Sequence, residues 1–181
     1  MASTGSQALL AFGKRYIDTF VAEHGTLPCN HDMADMPSSC LQGDADNDGQ
    51  WQPVALEPMA SFDNVEQGIE LELHNDIKAF YCSQYSADMD AIWRGNSLTL
   101  LQVWNQDDFV LLQENILGHL VMQRRLKLQP TVFIATTDDE MEVVSICNLS
   151  GNVLLEELGT KNRQVLAVSL AEFLDGLVPA V

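Results

Sequence analysis

The spacing of apolar residues divides the chain into helical and extended segments. Phe12 and Tyr16 belong to a three-to-four-residue repeat that predicts an amphipathic helix over residues 6–24, with Gly25 as its stop. Over residues 26–62 no such repeat persists, and Pro, Gly, Ser and Asp are frequent, which predicts a long irregular segment. Segments of this length without regular structure are often functional.

Two short helices are predicted after the irregular segment. Asp63 and Glu66 have the spacing of a capping box, which favours a helix over residues 64–71. Asn75 is the predicted N-cap of the next helix. The alternation of residues 69–73, IELEL, also fits a strand, so that alternative stays open.

The second half of the chain is predicted to contain most of the sheet. The predicted elements are a hairpin turning at Arg94-Gly95-Asn96, a helix capped by Asn105, strands over 131–136, 143–147 and 153–158, and a last helix opened by the capping box Ser169-Leu170-Ala171-Glu172. Helices followed by short consecutive strands indicate an α+β fold. The sequence therefore predicts one domain over residues 1–181, with a central, largely antiparallel sheet packed with helices.

Charge is the property of the sequence that says most about possible partners. The chain has 26 acidic and 9 basic residues, a net charge of −17, and residues 16–77 contain 13 acids and no Lys or Arg. Such a field repels nucleic acid and anionic lipid and attracts a basic partner; solubility alone is the competing explanation. The three tryptophans are mostly core material by default, but Trp51 lies beside these acids in the irregular segment, and the hypothesis for it is an exposed ring that stacks on a basic side chain of a partner.

Sequence motifs for catalysis and export are absent. The chain contains no P-loop, GxSxG, HExxH or GxGxxG motif, so a hydrolase has no support and no catalytic residue or cofactor is predicted. No window is apolar enough to span a membrane, and the N-terminus lacks a signal peptide's basic region and apolar core. We therefore expect a cytoplasmic protein.

Two short segments have some of the residues of a metal site. The hexad DADNDG at 44–49 matches the start of a calcium-binding loop, but Ala55 occupies the twelfth position, where a bidentate Glu is required. Cys29, His31 and Cys40 match no standard zinc spacing. The sequence therefore predicts no metal site, and a calcium-responsive protein remains an alternative to be tested by titration.

Long phrases of the sequence resemble one known family. These are WQP at 51–53, AFYCSQYSADMDA at 79–91, and the run from Leu98 to Thr160 that begins LTLLQVWNQDDFVLLQENILGHL. They are similar to the Syd family of SecY-interacting proteins from Gram-negative bacteria, within the SUKH superfamily. The resemblance implies an α/β fold with a central sheet and no catalytic activity. It also implies an acidic concave surface that binds the basic cytoplasmic loops of SecY, the channel subunit of the Sec translocase.

The same resemblance implies a cellular role and a location. Family members are peripheral on the cytoplasmic side of the inner membrane and reach it through SecY. They are thought to prefer uncomplexed or misassembled SecY and to act as a sink, a checkpoint or a negative regulator of translocation. A SUKH-type immunity protein that neutralises a basic toxin is the alternative function.

The candidate partner-binding residues are acids in or beside the resembling phrases. Each of them alone is also explained as a solvated surface carboxylate, and a position in the first turn of a helix explains two of them through the helix dipole. The candidates are Glu66, Glu70, Asp76, Asp88, Asp90, Asp107, Asp108 and Glu114.

Overall fold

The chain folds into five α-helices, one 3₁₀ turn and nine strands within the residues described, 4–43 and 49–181, of the computed structural model. The helices are α1 (Gly5–His24), α2 (Asp63–Ile69), α3 (Asn75–Cys82), α4 (Gln106–Arg125) and α5 (Leu170–Asp175), and the 3₁₀ turn is His31–Met33. The strands are β1 (Val54–Ala55), β2 (Gln84–Tyr85), β3 (Met89–Trp93), β4 (Asn96–Leu100), β5 (Thr131–Thr137), β6 (Glu142–Cys147), β7 (Val153–Glu157), β8 (Arg163–Ala167) and β9 (Val178–Pro179).

Seven of the strands form one antiparallel sheet in the order β8-β7-β6-β5-β4-β3-β9. From β3 to β8 each strand pairs with its neighbour in sequence, and β9 returns to pair with β3. The predicted α+β fold with an antiparallel sheet is confirmed. The sequence did not predict β8 and β9, because β8 is a mostly exposed edge strand and β9 has only two residues.

One face of the sheet holds the apolar core. Most of the buried apolar side chains of β3 to β7 point to this face, where α1, α3 and α5 lie. The rings of Trp93 on β3 and Phe173 on α5 lie 4.9 Å apart. Phe12 of α1 is fully buried in the same core. The predicted helix over 6–24 is confirmed, because its apolar stripe packs here and Gly25 adopts the left-handed conformation with φ 76°.

The opposite face is partly covered by α4. His119 of α4 contacts the ring of Phe133 on β5, with centroids 5.5 Å apart. Gln123 of α4 donates from Nε2 to Thr131 Oγ1 at 2.7 Å, and Thr131 Oγ1 donates to Glu156 Oε2 at 2.6 Å. These polar contacts are buried, so they fix the helix to β5 and β7.

Helix caps correct two details of the prediction. Asp63 and Glu66 do not form a capping box: Glu66 Oε2 accepts from the Leu73 N–H at 2.8 Å, outside α2. His74, rather than Asn75, caps α3 by accepting from the Asp76 N–H through Nδ1. Asn105 caps α4 as predicted. Residues 70–74 form the connection between α2 and α3, so the alternative of a strand over residues 69–73 is wrong.

Trp51 is buried, and the prediction of an exposed stacking platform is wrong. Only 3% of its surface is accessible. Its backbone N–H donates to Pro28 O at 3.0 Å, and its ring lies 6.1 Å from that of Tyr16. The irregular segment therefore folds back onto α1 and uses Trp51 as an anchor.

The structure bears differently on the two candidate metal segments. In the hexad 44–49 only Gly49 lies among the described residues, so the calcium interpretation falls outside them. Cys40 is buried, whereas Cys29 and His31 are exposed. Within residues 4–43 and 49–181 no group of three or more His, Cys, Asp or Glu side chains is arranged to hold a metal ion. No helix in these ranges has the length and apolarity needed to cross a bilayer.

Candidate functional site

A groove runs beside α4, where this helix leaves part of the sheet uncovered. On that side of the sheet Asp90 of β3 and Thr136 of β5 remain exposed. A cavity of about 410 Å³ occupies the groove. It is lined by Asn30, Met33, Ser86, Ala87, Asp88, Leu101, Gln102, Val103, Trp104, Asp108, Leu111, Leu112, Asn115 and Phe133. The groove thus combines acidic, amide and apolar side chains from five segments of the chain.

Two of the predicted acids, Asp88 and Asp108, lie in this groove. The Gln102 N–H donates to Asp88 Oδ1 at 2.8 Å. The Trp104 N–H donates to Asp108 Oδ2 at 2.8 Å, and the Asp108 N–H donates to Asn105 Oδ1 at 2.9 Å. Each carboxylate therefore has one oxygen held by the backbone, which fixes its position, and a second oxygen that the backbone leaves available.

The charges of the groove act on one another. Burial raises the pKa of Asp88 above its ordinary value, and the negative charges of Asp108 and Asp90 raise it further, against the lowering effect of the Gln102 N–H. The pKa of the buried Tyr81 hydroxyl is raised by burial and then by the charge of Asp88. A cationic group placed in the groove would relieve this repulsion.

Three more predicted acids lie near the groove. Asp90 lies on the uncovered part of the sheet and accepts a hydrogen bond from Thr99 Oγ1 through Oδ1 at 2.6 Å. Asp107 and Glu114 are exposed on α4, one position before groove residues Asp108 and Asn115. The fold therefore brings five of the eight predicted acids to one region.

The other three predicted acids lie on α2 and α3, away from the groove. Glu66 forms an ion pair with Lys78, with 3.2 Å between Oε2 and Nζ. Asp76 Oδ2 accepts from the Leu170 N–H at 3.3 Å, which ties α3 to α5. Glu70 is exposed and ends α2 with φ 55°. Glu66 and Asp76 thus have internal partners, while a role of these three acids in partner binding stays a prediction.

The sequence reasoning missed the apolar side of the groove. Leu111 is 58% exposed, and Leu112, Met33 and Phe133 are partly buried around it. A signal was present, because residues 109–112, FVLL, form an apolar run wider than one buried helix face requires. A groove that joins exposed leucine to carboxylates fits a partner segment with both apolar and basic side chains.

The raised pKa of Asp88 predicts that charge at this position reduces stability. The folded protein binds the Asp88 proton more tightly than the unfolded chain, so the stability from this group is present at low pH and is lost as pH rises through the folded-state pKa. Because Asp88 is exposed and solvent screens its charge, we expect Asp88→Asn, which keeps an acceptor oxygen for the Gln102 N–H, to raise the free energy of unfolding only slightly at pH 7 and to have little effect at about pH 3.

Denaturant titrations of both proteins at the two pH values measure this difference. Asp107→Asn is the control, since this exposed acid in the first turn of α4 is expected to lose about 0.3–1 kcal/mol with its dipole interaction. A loss of stability at pH 7 in the Asp88 variant would contradict the expectation.

Comparison with known proteins relates this chain to one family. The family model described as Syd protein (SUKH-2) matches residues 6–179. Protein Syd of Aliivibrio fischeri (strain MJ11) is 53% identical over 175 residues, which are 97% of this chain and 96% of the relative. Protein Syd of Pectobacterium carotovorum subsp. carotovorum (strain PC1) is 49% identical over 172 residues, 95% of this chain and 94% of the relative. Protein Syd of Yersinia pestis (strain Pestoides F) is 47% identical over 176 residues, 97% and 96% of the two chains.

Proposed function

Because the chain belongs to the Syd family, SUKH-2, we propose that it is a binding protein without catalytic activity and that its partner is SecY. The groove beside α4 receives a basic cytoplasmic loop of SecY at the inner face of the inner membrane. The protein is cytoplasmic and reaches the membrane through this contact. By holding uncomplexed or misassembled SecY, it acts as a sink or checkpoint and as a negative regulator of translocation.

The observation that supports this proposal most directly is the pair of fixed carboxylates in the groove. Asp88 and Asp108 are positioned by backbone N–H groups and repel each other. Cytoplasmic loops of membrane proteins are rich in Lys and Arg. A basic side chain of the partner, placed between the two carboxylates, would be attracted by their negative charges. Leu111 and Leu112 of α4 would contact apolar residues next to that side chain in the partner. Complementarity of this kind raises the association rate and selects the partner.

Salt dependence of binding tests the proposal. Purified protein is titrated onto detergent-solubilised, uncomplexed SecY between about 0.1 and 1 M salt, over which the Debye length falls from about 10 to about 3 Å. We expect the affinity to fall about tenfold, because charges dominate the encounter. Detergent micelles without SecY serve as the control.

The result distinguishes the two candidate functions. Binding that does not change with salt would mean that an apolar surface makes the contact and would contradict docking in the acidic groove. No binding at any salt concentration would reject SecY as the partner and favour a basic toxin, the partner of an immunity protein.

A further inference from the structure

Positive charge is concentrated beyond the C-terminal end of α4. Residues 115–137 contain no acid, although the chain has 26 acids in all. Arg125 and Lys127 at the end of this helix are exposed, and Lys161 and Arg163 lie around the start of β8. We call these four residues the basic patch. It holds four of the nine basic residues of the chain.

The basic patch and the acidic groove lie at opposite ends of α4. Asp107 and Asp108 occupy the first turn and Arg125 the last turn of this 20-residue helix. A helix of that length spans about 30 Å. Because the Debye length is about 8 Å at physiological ionic strength, an object at one end is screened from the charges at the other. The net charge of −17 therefore does not describe the field that the basic patch presents.

A cavity of about 350 Å³ lies in the basic patch. Lys127, Leu128, Gln129, Lys161 and Arg163 line it, so three cations and no acid face this space. Arg163 is held in place by a hydrogen bond from Nη2 to Gln129 O at 2.9 Å and by Glu156 Oε1 at 3.8 Å. Within the described ranges no carboxylate lies within 4.0 Å of the amino groups of Lys127 or Lys161, so both charges are available to an anionic ligand.

A shallow neighbouring cavity contains acids as well as the same cations. Glu142 and Glu157 line it together with Lys161 and Arg163. Glu157 Oε2 is occupied by a hydrogen bond from Asn162 Nδ2 at 2.8 Å. The acid-free side of the basic patch is therefore the side towards α4.

Exposed apolar side chains adjoin the acid-free side. Leu126, between Arg125 and Lys127 in sequence, is 47% exposed, and Met122 one turn earlier is 42% exposed. Basic side chains beside exposed apolar ones are typical of segments that lie in the headgroup region of a bilayer, where the cations meet phosphate and the apolar groups enter the acyl boundary. A soluble anion would give Leu126 and Met122 nothing to contact.

We propose that the basic patch contacts the headgroups of anionic phospholipids. The three exposed cations, Arg125, Lys127 and Lys161, lie against the lipid phosphates, and Leu126 enters the interface beside them, while Arg163 stays paired with Glu156 beneath them. This contact is separate from the proposed docking on SecY and uses the other end of α4. Total charge alone predicted repulsion from lipid, but the fold separates the charges so that only the basic end approaches the bilayer.

Vesicle binding tests this proposal. The full-length protein is mixed with phosphatidylcholine vesicles or with vesicles that also contain phosphatidylglycerol, at about 0.1 M ionic strength. We expect binding only to the second kind. Lys127→Glu/Lys161→Glu is expected to bind about thirtyfold more weakly, since each basic residue at an anionic surface contributes about a fivefold factor. Lys14→Glu/Arg94→Glu is the control, because it makes the same change in net charge at exposed positions outside the basic patch.

Each outcome decides the proposal. Loss of vesicle binding in the Lys127/Lys161 variant, with the control unchanged and SecY binding in detergent retained by both, supports it. Equal weakening by both variants would show that only net charge matters and would overturn it, as would no binding by the wild type. Displacement from vesicles by inorganic phosphate at constant ionic strength would assign the cavity to a soluble anion and would also overturn it.

Discussion

Asp88→Asn/Asp108→Asn is expected to weaken binding to detergent-solubilised SecY roughly a hundredfold, because each charge that meets a basic side chain contributes about 1.5 kcal/mol or more. Asparagine keeps an oxygen for the Gln102 and Trp104 N–H groups, so the walls of the groove should stay in place. Titration of the variant and of the wild type at equal salt measures the ratio of the two dissociation constants. The variant should also show a smaller dependence on salt.

A matched control separates the groove from the general negative field. Asp138→Asn/Glu140→Gln removes two charges from exposed residues of the turn between β5 and β6, and we expect its affinity to change less than about threefold. If both double variants lost affinity equally, the contact would depend on net charge and the groove would have no special role. If the Asp88/Asp108 variant bound as tightly as the wild type, the site would lie elsewhere.

Glu156→Ala is expected to lower the free energy of unfolding by about 3–5 kcal/mol. Only 3% of this residue is accessible, and it accepts from Thr131 Oγ1 while facing Arg163 at 3.8 Å. Alanine would leave the buried Thr131 hydroxyl without its acceptor and the mostly buried Arg163 guanidinium without its counter-charge. The loss also loosens Gln123, through which α4 is bonded to the sheet. Denaturant unfolding monitored by the intrinsic tryptophan fluorescence measures the difference.

The neighbouring residue provides the control for Glu156. Glu157 lies on the other side of β7 and is exposed, and its carboxylate accepts from Asn162 Nδ2, so Glu157→Ala should cost no more than about 0.5 kcal/mol. Glu156→Gln, which keeps an acceptor for Thr131, should recover part of the loss. A cost below about 1 kcal/mol for Glu156→Ala would show that water replaces the network and that α4 is held by its apolar contacts alone.

The fold was predictable where the pattern of the sequence is local and repeated. Helix α1 has a single apolar stripe and a glycine stop, and α4 has an asparagine cap, so both were found. Caps that depend on the tertiary structure were not found from the sequence. Glu66 has the spacing of a capping residue, but its carboxylate instead accepts from the Leu73 N–H and pairs with Lys78. Strand β8 was missed because it is a mostly exposed edge strand whose buried and exposed positions do not alternate.

The site was predictable only in part, since acids were chosen from sequence phrases without knowledge of their partners. The fold brings Asp108 close enough to Asp88 for their charges to interact, which no spacing in the sequence reveals. It gives Asp76 an internal bond to α5. Trp51 was misjudged because a polar neighbourhood in sequence does not determine burial, which here comes from the distant Tyr16.

The order of the strands has a consequence for how the molecule folds. Strands β3 to β8 each pair with the next along the chain, so, apart from the β4–β5 pair that is connected through α4, these contacts close short loops. Helix α1 instead meets α5 across the whole sequence, as in the hydrogen bond from Arg15 Nη2 to Leu174 O, 159 residues apart. Closing so long a loop costs more chain entropy than closing a hairpin. The meander should therefore form first, and the docking of α1 onto α5 should be the late event that completes the core.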